Sequence, residues 1–276
     1  MGTVHSCYGN VVNLLVEQRL YALHAVAVAA TPISLVTDGW DSRQMEQISA
    51  GQEARFLKDG LLLGTQRLSF KGNSWEPRLS SILRLEALLR ICCAAEEILP
   101  HYKERGGFGD LVLGGGAPCG SILEQVLAEK LTELQAGVKQ GQEKFAAALK
   151  SLVGLGTGLT PSGDDFLVGM LFVFWSLGAP GKAWLGQMTS AFEGELGRTN
   201  TVSAAFLRCA LAGEFGEKLH RLHHCVDSGH QLGFGVEAVA QTGHSSGIDT
   251  LSGIVCAARI ALENSSQKEE TEEACG

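Results

Sequence analysis

The chain has 276 residues, is 45% hydrophobic and only 19% charged, and carries a net charge of -8. It is long enough for one large core or two smaller ones. The acidic balance excludes broad nucleic-acid binding, which needs a basic face, but leaves room for a small anion held by helix ends. No apolar run reaches transmembrane length, and "FLVGMLFVFWSLGA" suits a buried helix. The eight cysteines, Cys7, Cys92, Cys93, Cys119, Cys209, Cys225, Cys256 and Cys275, form no C-x-x-C pair and read as small apolar residues in a reducing, cytoplasmic setting.

The first third reads as short strands. "VVNLLVEQRLYALHAVAVAATPISLVTDGW" and "DGLLLGTQRLSF" are rich in Val and Leu and broken by turn signals at Thr31-Pro32, Asp38-Gly39 and Asp59-Gly60. A small antiparallel sheet or partial barrel is expected. From Pro77 the spacing of apolar residues turns helical, beginning with "RLSSILRLEALLRICCAAEEIL". "GSILEQVLAEKLTELQAGVKQGQEKFAAALKSLVG" predicts one long or two abutting helices. Further helices are expected over about 165–177, 183–212, 216–224, 233–240 and 248–262. The fold class is therefore α+β. It has a β-rich part over 1–76, a helical domain over 77–264, and an acidic tail over 265–276 whose composition suggests fraying.

The chemistry concentrates in "GLGTGLTPSGDDFLVGM", residues 154–170. Glycines at 154, 156 and 158 lead into two acids and an apolar run. Ser162 and Asp165 have capping-box spacing, and Thr160-Pro161 offers an alternative helix start. The pattern is neither a Walker A loop nor a dinucleotide fingerprint. "SGIDTLSG" at 246–253 repeats "SGDDFLVG" at 162–169 as S-G-x-D-x-L-x-G, preceded by Gly243 and His244. The repeat predicts two helix starts converging on one site, with Asp165 and Asp249 equivalent and Asp164 and His244 nearby. Simple capping is the plainer explanation, but it leaves the extra glycines and Asp164 without a purpose.

Other candidates are weaker. "GRTNTVSAAFLRC" offers Arg198, Asn200, Ser203 and Arg208 for a carboxylate or phosphate. His220 and His224 lie one helical turn apart, the spacing of a zinc pair, with His223 and His230 close by, although no H-E-x-x-H glutamate accompanies them. "LVLGGGAPCG" reads as a strand running into a turn, with Cys119 before a helix start.

"GLGTGLTPSGDDFLVGML" and "TGHSSGIDTLSGI" resemble the two signature stretches of the AllH-type family, a domain that includes a subunit of bacterial oxamate carbamoyltransferase. "TNTVSAAFLRCALAGEF" adds to the likeness through Ser203, Leu207 and Arg208. The resemblance implies a subunit that interconverts oxalurate plus phosphate with oxamate plus carbamoyl phosphate in allantoin and purine breakdown, alongside partner subunits. The S-T-R-T-R phosphate motif of ordinary carbamoyltransferases is absent, so any such site is built differently.

On this reading a small anion of the carbamoyl phosphate or oxamate class binds N–H groups and side chains of Gly156, Thr157, Gly158, Thr160, Ser162, Gly163, Ser245, Ser246 and Gly247. Arg198 or Arg208 supplies charge, and Asn200 and Ser203 add polar contacts. His244 moves a proton, and Asp164, Asp165 and Asp249 orient the loop, bind an amide or hold a magnesium ion. Two alternatives stand beside it: a metal-dependent hydrolase or phosphotransferase using the three aspartates, and a non-catalytic scaffold subunit.

Overall fold

The computed structural model describes residues 1–26, 28–38, 40–115, 121–226 and 229–275, with side chains left out at 42, 229–230 and 266–275. Gly39 of the Asp38-Gly39 turn and Cys119 therefore lie outside the described residues. The fold class is α+β. Its residues group into two units, Met1–Arg78 with Phe215–Glu217, and Leu79–Glu214 with Lys218–Gly276.

The first unit is a seven-stranded sheet. Its strands are β1 (Gly2–Tyr8), β2 (Val11–Val16), β3 (Arg19–Ala25), β4 (Ser34–Thr37), β5 (Glu53–Leu57), β6 (Gly60–Leu63) and β7 (Gln66–Ser69), in the order β4-β3-β2-β1-β5-β6-β7. A single helical turn, α1 (Ser42–Met45), lies between β4 and β5. Alternating residues such as Val12, Leu14, Leu23, Leu61 and Leu63 face a core that also holds Trp40, Met45 and Ile48. Val16 pairs with Arg19 across a two-residue turn in which Glu17 and Gln18 are both left-handed, the backbone a tight hairpin demands. One pairing departs from the antiparallel expectation: β4 runs parallel to β3, because the Thr31-Pro32 segment carries the chain back along the strand instead of reversing it.

The second unit is helical. It comprises α2 (Leu85–Ile98), α3 (Gly109–Val112), α4 (Ile122–Gln140), α5 (Gln142–Leu152), α6 (Ser162–Ser176), α7 (Lys182–Phe192), α8 (Thr201–Leu211), α9 (Glu217–Cys225, its first residue in the other unit), α10 (Gly229–Ala240) and α11 (Ser246–Cys275). The 120–153 stretch is two helices, α4 and α5, meeting at Gly141. The stretch read as one helix over 183–212 is broken by a turn at Gly194, after which Asn200 caps α8 through its side chain. Leu111 and Val112, expected in a strand, belong to the one-turn helix α3. The acidic segment read as frayed continues α11 to Cys275.

The unit is organised around α6 and α11. Phe166, Leu167, Met170, Leu171, Phe172, Val173 and Phe174 of α6 are all fully buried, as are Leu251, Ile254, Val255, Ala257 and Ala258 of α11. The two helices touch backbone to backbone through the last glycine of each repeat. A Cβ on Gly169 would lie 2.0 Å from the Thr250 carbonyl oxygen, and one on Gly253 would lie 1.9 Å from that of Phe166. The inner glycines are reciprocal too. A Cβ on Gly163 would strike Leu152 O at 2.1 Å and one on Gly247 would strike Val239 O at 2.0 Å, so each helix start is pressed onto the helix preceding it.

Gly169→Ala must push two backbones apart and should cost at least about 2 kcal/mol in urea unfolding. Gly186→Ala on α7 meets nothing within 4 Å and serves as the control; it should be neutral or stabilising by up to about 1 kcal/mol.

Candidate functional site

The starts of α6 and α11 meet. Thr160 Oγ1 and Ser246 Oγ share a hydrogen bond of 2.7 Å across 86 residues of sequence. The contacts cross between the repeats: the Ser246 hydroxyl lies against Asp165 and the Ser162 hydroxyl against Asp249. Neither serine sits where capping requires. Pro161, not Ser162, is the N-cap of α6 and no side chain caps it, so the S-x-x-D spacing makes no capping box there. Its serine instead turns toward the other helix.

Three elements hold this junction. The first is the loop 154–161. Gly156 has φ +123, and a Cβ there would lie 2.6 Å from Ser162 N, so only glycine lets the loop pass over the start of α6. Gly163 N–H closes the loop by donating to Leu155 O at 2.8 Å. Asp164 locks it. One carboxylate oxygen accepts from Gly154 N–H at 2.8 Å, and the other accepts from Thr199 Oγ1 at 2.5 Å and Ser203 Oγ at 2.6 Å. Asn200, while capping α8, donates from Nδ2 to Leu159 O at 2.9 Å. Asp164, Asn200 and Ser203 thus form the frame of the loop.

The second element is the turn 106–108, which the sequence reading passed over. Phe108 N–H donates to Asp249 Oδ1 at 2.8 Å, and Gly107 packs so closely that a Cβ would lie 2.2 Å from the same oxygen. Phe108 is anchored by its ring, 4.5 Å from that of Phe166. The cluster "GGFG" at 106–109 was the available signal. The third element is the segment 241–245, where Gly247 N–H donates back to Thr242 O at 2.9 Å.

The result is a fully buried carboxyl, Asp249, beside a partly buried one, Asp165, whose Oδ2 is itself out of reach of solvent. Asp249 is fully buried, and burial pushes it from 3.8 up to about 7 against the downward pull of Phe108 N–H and the Ser162 and Ser245 hydroxyls. Burial also raises Asp165 well above its ordinary value. The Thr160 and Ser246 hydroxyls oppose this, while the neighbouring Asp249 and Asp164 charges reinforce it. Both helix N-termini favour the ionised forms. One oxygen of each, Asp165 Oδ2 and Asp249 Oδ2, is buried with no hydrogen-bond partner among the described residues. Such an atom awaits a proton, a donor or a ligand.

Several expected members stand differently. Arg198 donates to Lys150 O at 2.8 Å and pairs with Glu195 at 3.4 Å, so its charge is engaged at the end of α5. Arg208 is exposed in the last turn of α8, about 12 Å along the helix from Asn200. Among the described residues neither guanidinium has a hydrogen bond or ion pair to Asp165, Asp249 or the 154–161 loop. The Gly163 and Gly247 N–H groups are occupied, whereas those of Gly156, Thr157, Gly158, Thr160, Ser245 and Ser246 donate to none of the described residues. His244 is exposed, as are Thr157, Gly158 and Leu159. Among the described residues no group of three or more His, Cys, Asp or Glu side chains is arranged to hold a metal, neither the three aspartates nor the α9 histidines. His220 and His224 have ring centroids 6.4 Å apart, and burial holds His223 down at about 4. Two cavities, of about 410 and 600 Å³, are lined by residues such as Ile82, Trp184 and Asn264, and Gln142 and Gln187; no predicted site residue lines either.

Two similar helix starts each bring a carboxyl to one junction, without the glycine fingerprint of a nucleotide fold. The comparisons with known families agree with the motifs: residues 152–258 match the model described as oxamate carbamoyltransferase subunit AllH, and residues 1–76 match the AllH family N-terminal domain. The chain belongs to the AllH family, that of the oxamate carbamoyltransferase subunit of allantoin and purine breakdown. No solved structure matches it. No helix among the described residues is long and apolar enough to cross a membrane.

The raised carboxyls give a stability test. Between about pH 4 and 7 folded Asp249 keeps a proton that the unfolded chain has released, so stability falls as pH rises through that window and levels off above it. The thermal midpoint should therefore drop between pH 5 and 8. Asp249→Asn, which keeps an oxygen for Phe108 N–H, should show a shallower drop, and Asp165→Asn/Asp249→Asn the shallowest.

Proposed function

We propose that carbamoyl transfer takes place at the junction of α6 and α11, and that Asp165 and Asp249 together move the proton it requires. In the exchange, an oxygen of hydrogen phosphate bonds to the carbamoyl carbon of oxalurate. The bond from that carbon to the oxamate nitrogen breaks. The phosphate gives up one proton and the departing nitrogen must gain one, so the products are carbamoyl phosphate and oxamate. A carboxyl pair with one group protonated and the other ionised accepts the first proton and delivers the second. Asp249 is the member whose change of state falls near neutrality, and burial raises Asp165 in the same direction. The tetrahedral intermediate carries negative charge on the carbamoyl oxygen, and the free N–H groups of Gly156 to Thr160 are the donors we assign to it and to the phosphate.

The observation that carries this reading is the pair of partnerless buried oxygens, Asp165 Oδ2 and Asp249 Oδ2, at two facing helix starts. A structural cap would use its oxygens on its own helix. The reaction belongs to an assembly with partner subunits, and we place it in the cytoplasm, where thiols such as the six free ones among the described residues stay reduced.

The test is steady-state kinetics of the reconstituted complex. Asp249→Asn should lower kcat by at least about a hundredfold while leaving the assembly intact, and should remove the limb of the pH profile near 7. Wild-type kcat in both Asp249→Asn and Asp165→Asn, with a loss of subunit assembly instead, would reject the proton role in favour of a scaffold.

A further inference from the structure

Neither arginine expected from the sequence contacts the junction acids among the described residues, yet oxamate and oxalurate both carry a carboxylate. Arg105 ends a 3-10 turn over Leu99–Arg105. The next residues, Gly106 and Gly107, both have positive φ and fold the chain directly onto Asp249. The Arg105 guanidinium lies 4.6 Å over the Tyr102 ring. The Tyr102 hydroxyl donates to Glu237 Oε1, which also accepts from Gln241 Nε2 at 2.8 Å, so the platform beneath the guanidinium is fixed. Arg105 Nη1 reaches the carbonyls of Ala240 and His244 at 3.4 and 3.5 Å, long for hydrogen bonds, and the rest of the fork makes none among the described residues. Among the described residues no carboxylate pairs with it, although it is partly buried.

A partly buried, oriented guanidinium without a counter-charge, two residues from the turn that holds Asp249 and beside the segment that starts α11, is suited to an external anion. From this juxtaposition we infer that Arg105 takes the carboxylate of the oxamate or oxalurate substrate, its planar fork matching the planar carboxylate. The inference rests on the site assigned above: with phosphate at the glycine loop on the α6 side, the oxamyl carboxylate lies on the α11 side. The residue falls between the two stretches matched by the family models.

Lys218 separates this role from simple tethering. Its Nζ donates to Thr242 Oγ1 at 2.9 Å, so it too holds the 241–244 segment, but from α9. In the reconstituted complex, Arg105→Lys should raise KM for oxamate at least about tenfold and leave KM for carbamoyl phosphate within about twofold. Guanidinium ion should restore part of the loss in Arg105→Ala, and Lys218→Met should leave KM for oxamate within about twofold. If Arg105→Ala fails to assemble, protection of wild-type Arg105 by oxamate against phenylglyoxal takes its place. Equal effects of Arg105→Lys and Lys218→Met, without rescue or protection, would reduce Arg105 to a tether. A shift in KM for carbamoyl phosphate alone would overturn the carboxylate assignment. The proton pair fails separately: unchanged kcat in Asp249→Asn with a raised oxamate KM in Arg105→Lys would remove the pair and keep the carboxylate site.

Discussion

Everything at the junction depends on the close crossing of α6 and α11. Where Gly169 meets the Thr250 carbonyl and Gly253 meets that of Phe166, there is no space for even a methyl group. Two helices that touch at the backbone bring their starts together two turns away. Two first-turn acids then come to one junction, Asp249 fully buried and Asp165 partly so, because the same crossing buries the apolar sides of both helices. Burial raises the carboxyls and the helix dipoles lower them, and their protonation is set by that balance.

Around this frame the other segments act as restraints. Asp164 joins the loop start at Gly154 to Thr199 and Ser203 at the head of α8. Arg259 of α11 donates to Val112 O at 2.6 Å and bridges to Glu96 of α2, fixing the helix that follows the Gly107 turn. These restraints engage Asp164, Thr199, Asn200, Ser203 and Arg259. The groups left over are therefore informative: two carboxyl oxygens, a run of N–H groups and one guanidinium.

The repeat made much of this visible in the sequence. S-G-x-D-x-L-x-G occurring twice, with apolar continuations, was enough to read two converging helix starts, because glycine and small hydroxyls are needed where backbones approach. The role of Ser162 was misread, since capping spacing is a local rule and the hydroxyl's partner lies on another helix. Arg198 and Arg208 were chosen for their neighbours in sequence, yet helix geometry carries one to an exposed end and Glu195 engages the other. Arg105 gave no signal and Gly107 only the "GGFG" cluster, because the turn's link to Asp249 spans 141 residues and leaves no periodicity. The parallel β3–β4 pair was hidden for a similar reason, since a turn signal marks a change of direction and not its sense.

The two repeats differ at the three variable positions of the motif, and the first of these sets their surroundings apart. The residue before the conserved acid is Asp164 in the first and Ile248 in the second. Asp164 reaches out to fasten a loop, whereas Ile248 is fully buried against Gly109. The junction thus has near-twofold scaffolding with unlike walls, a polar glycine loop on one side and an apolar turn on the other. On the proposed reading, a compact ligand with two dissimilar ends meets walls that tell head from tail, and a duplicated frame gains a single sense of entry.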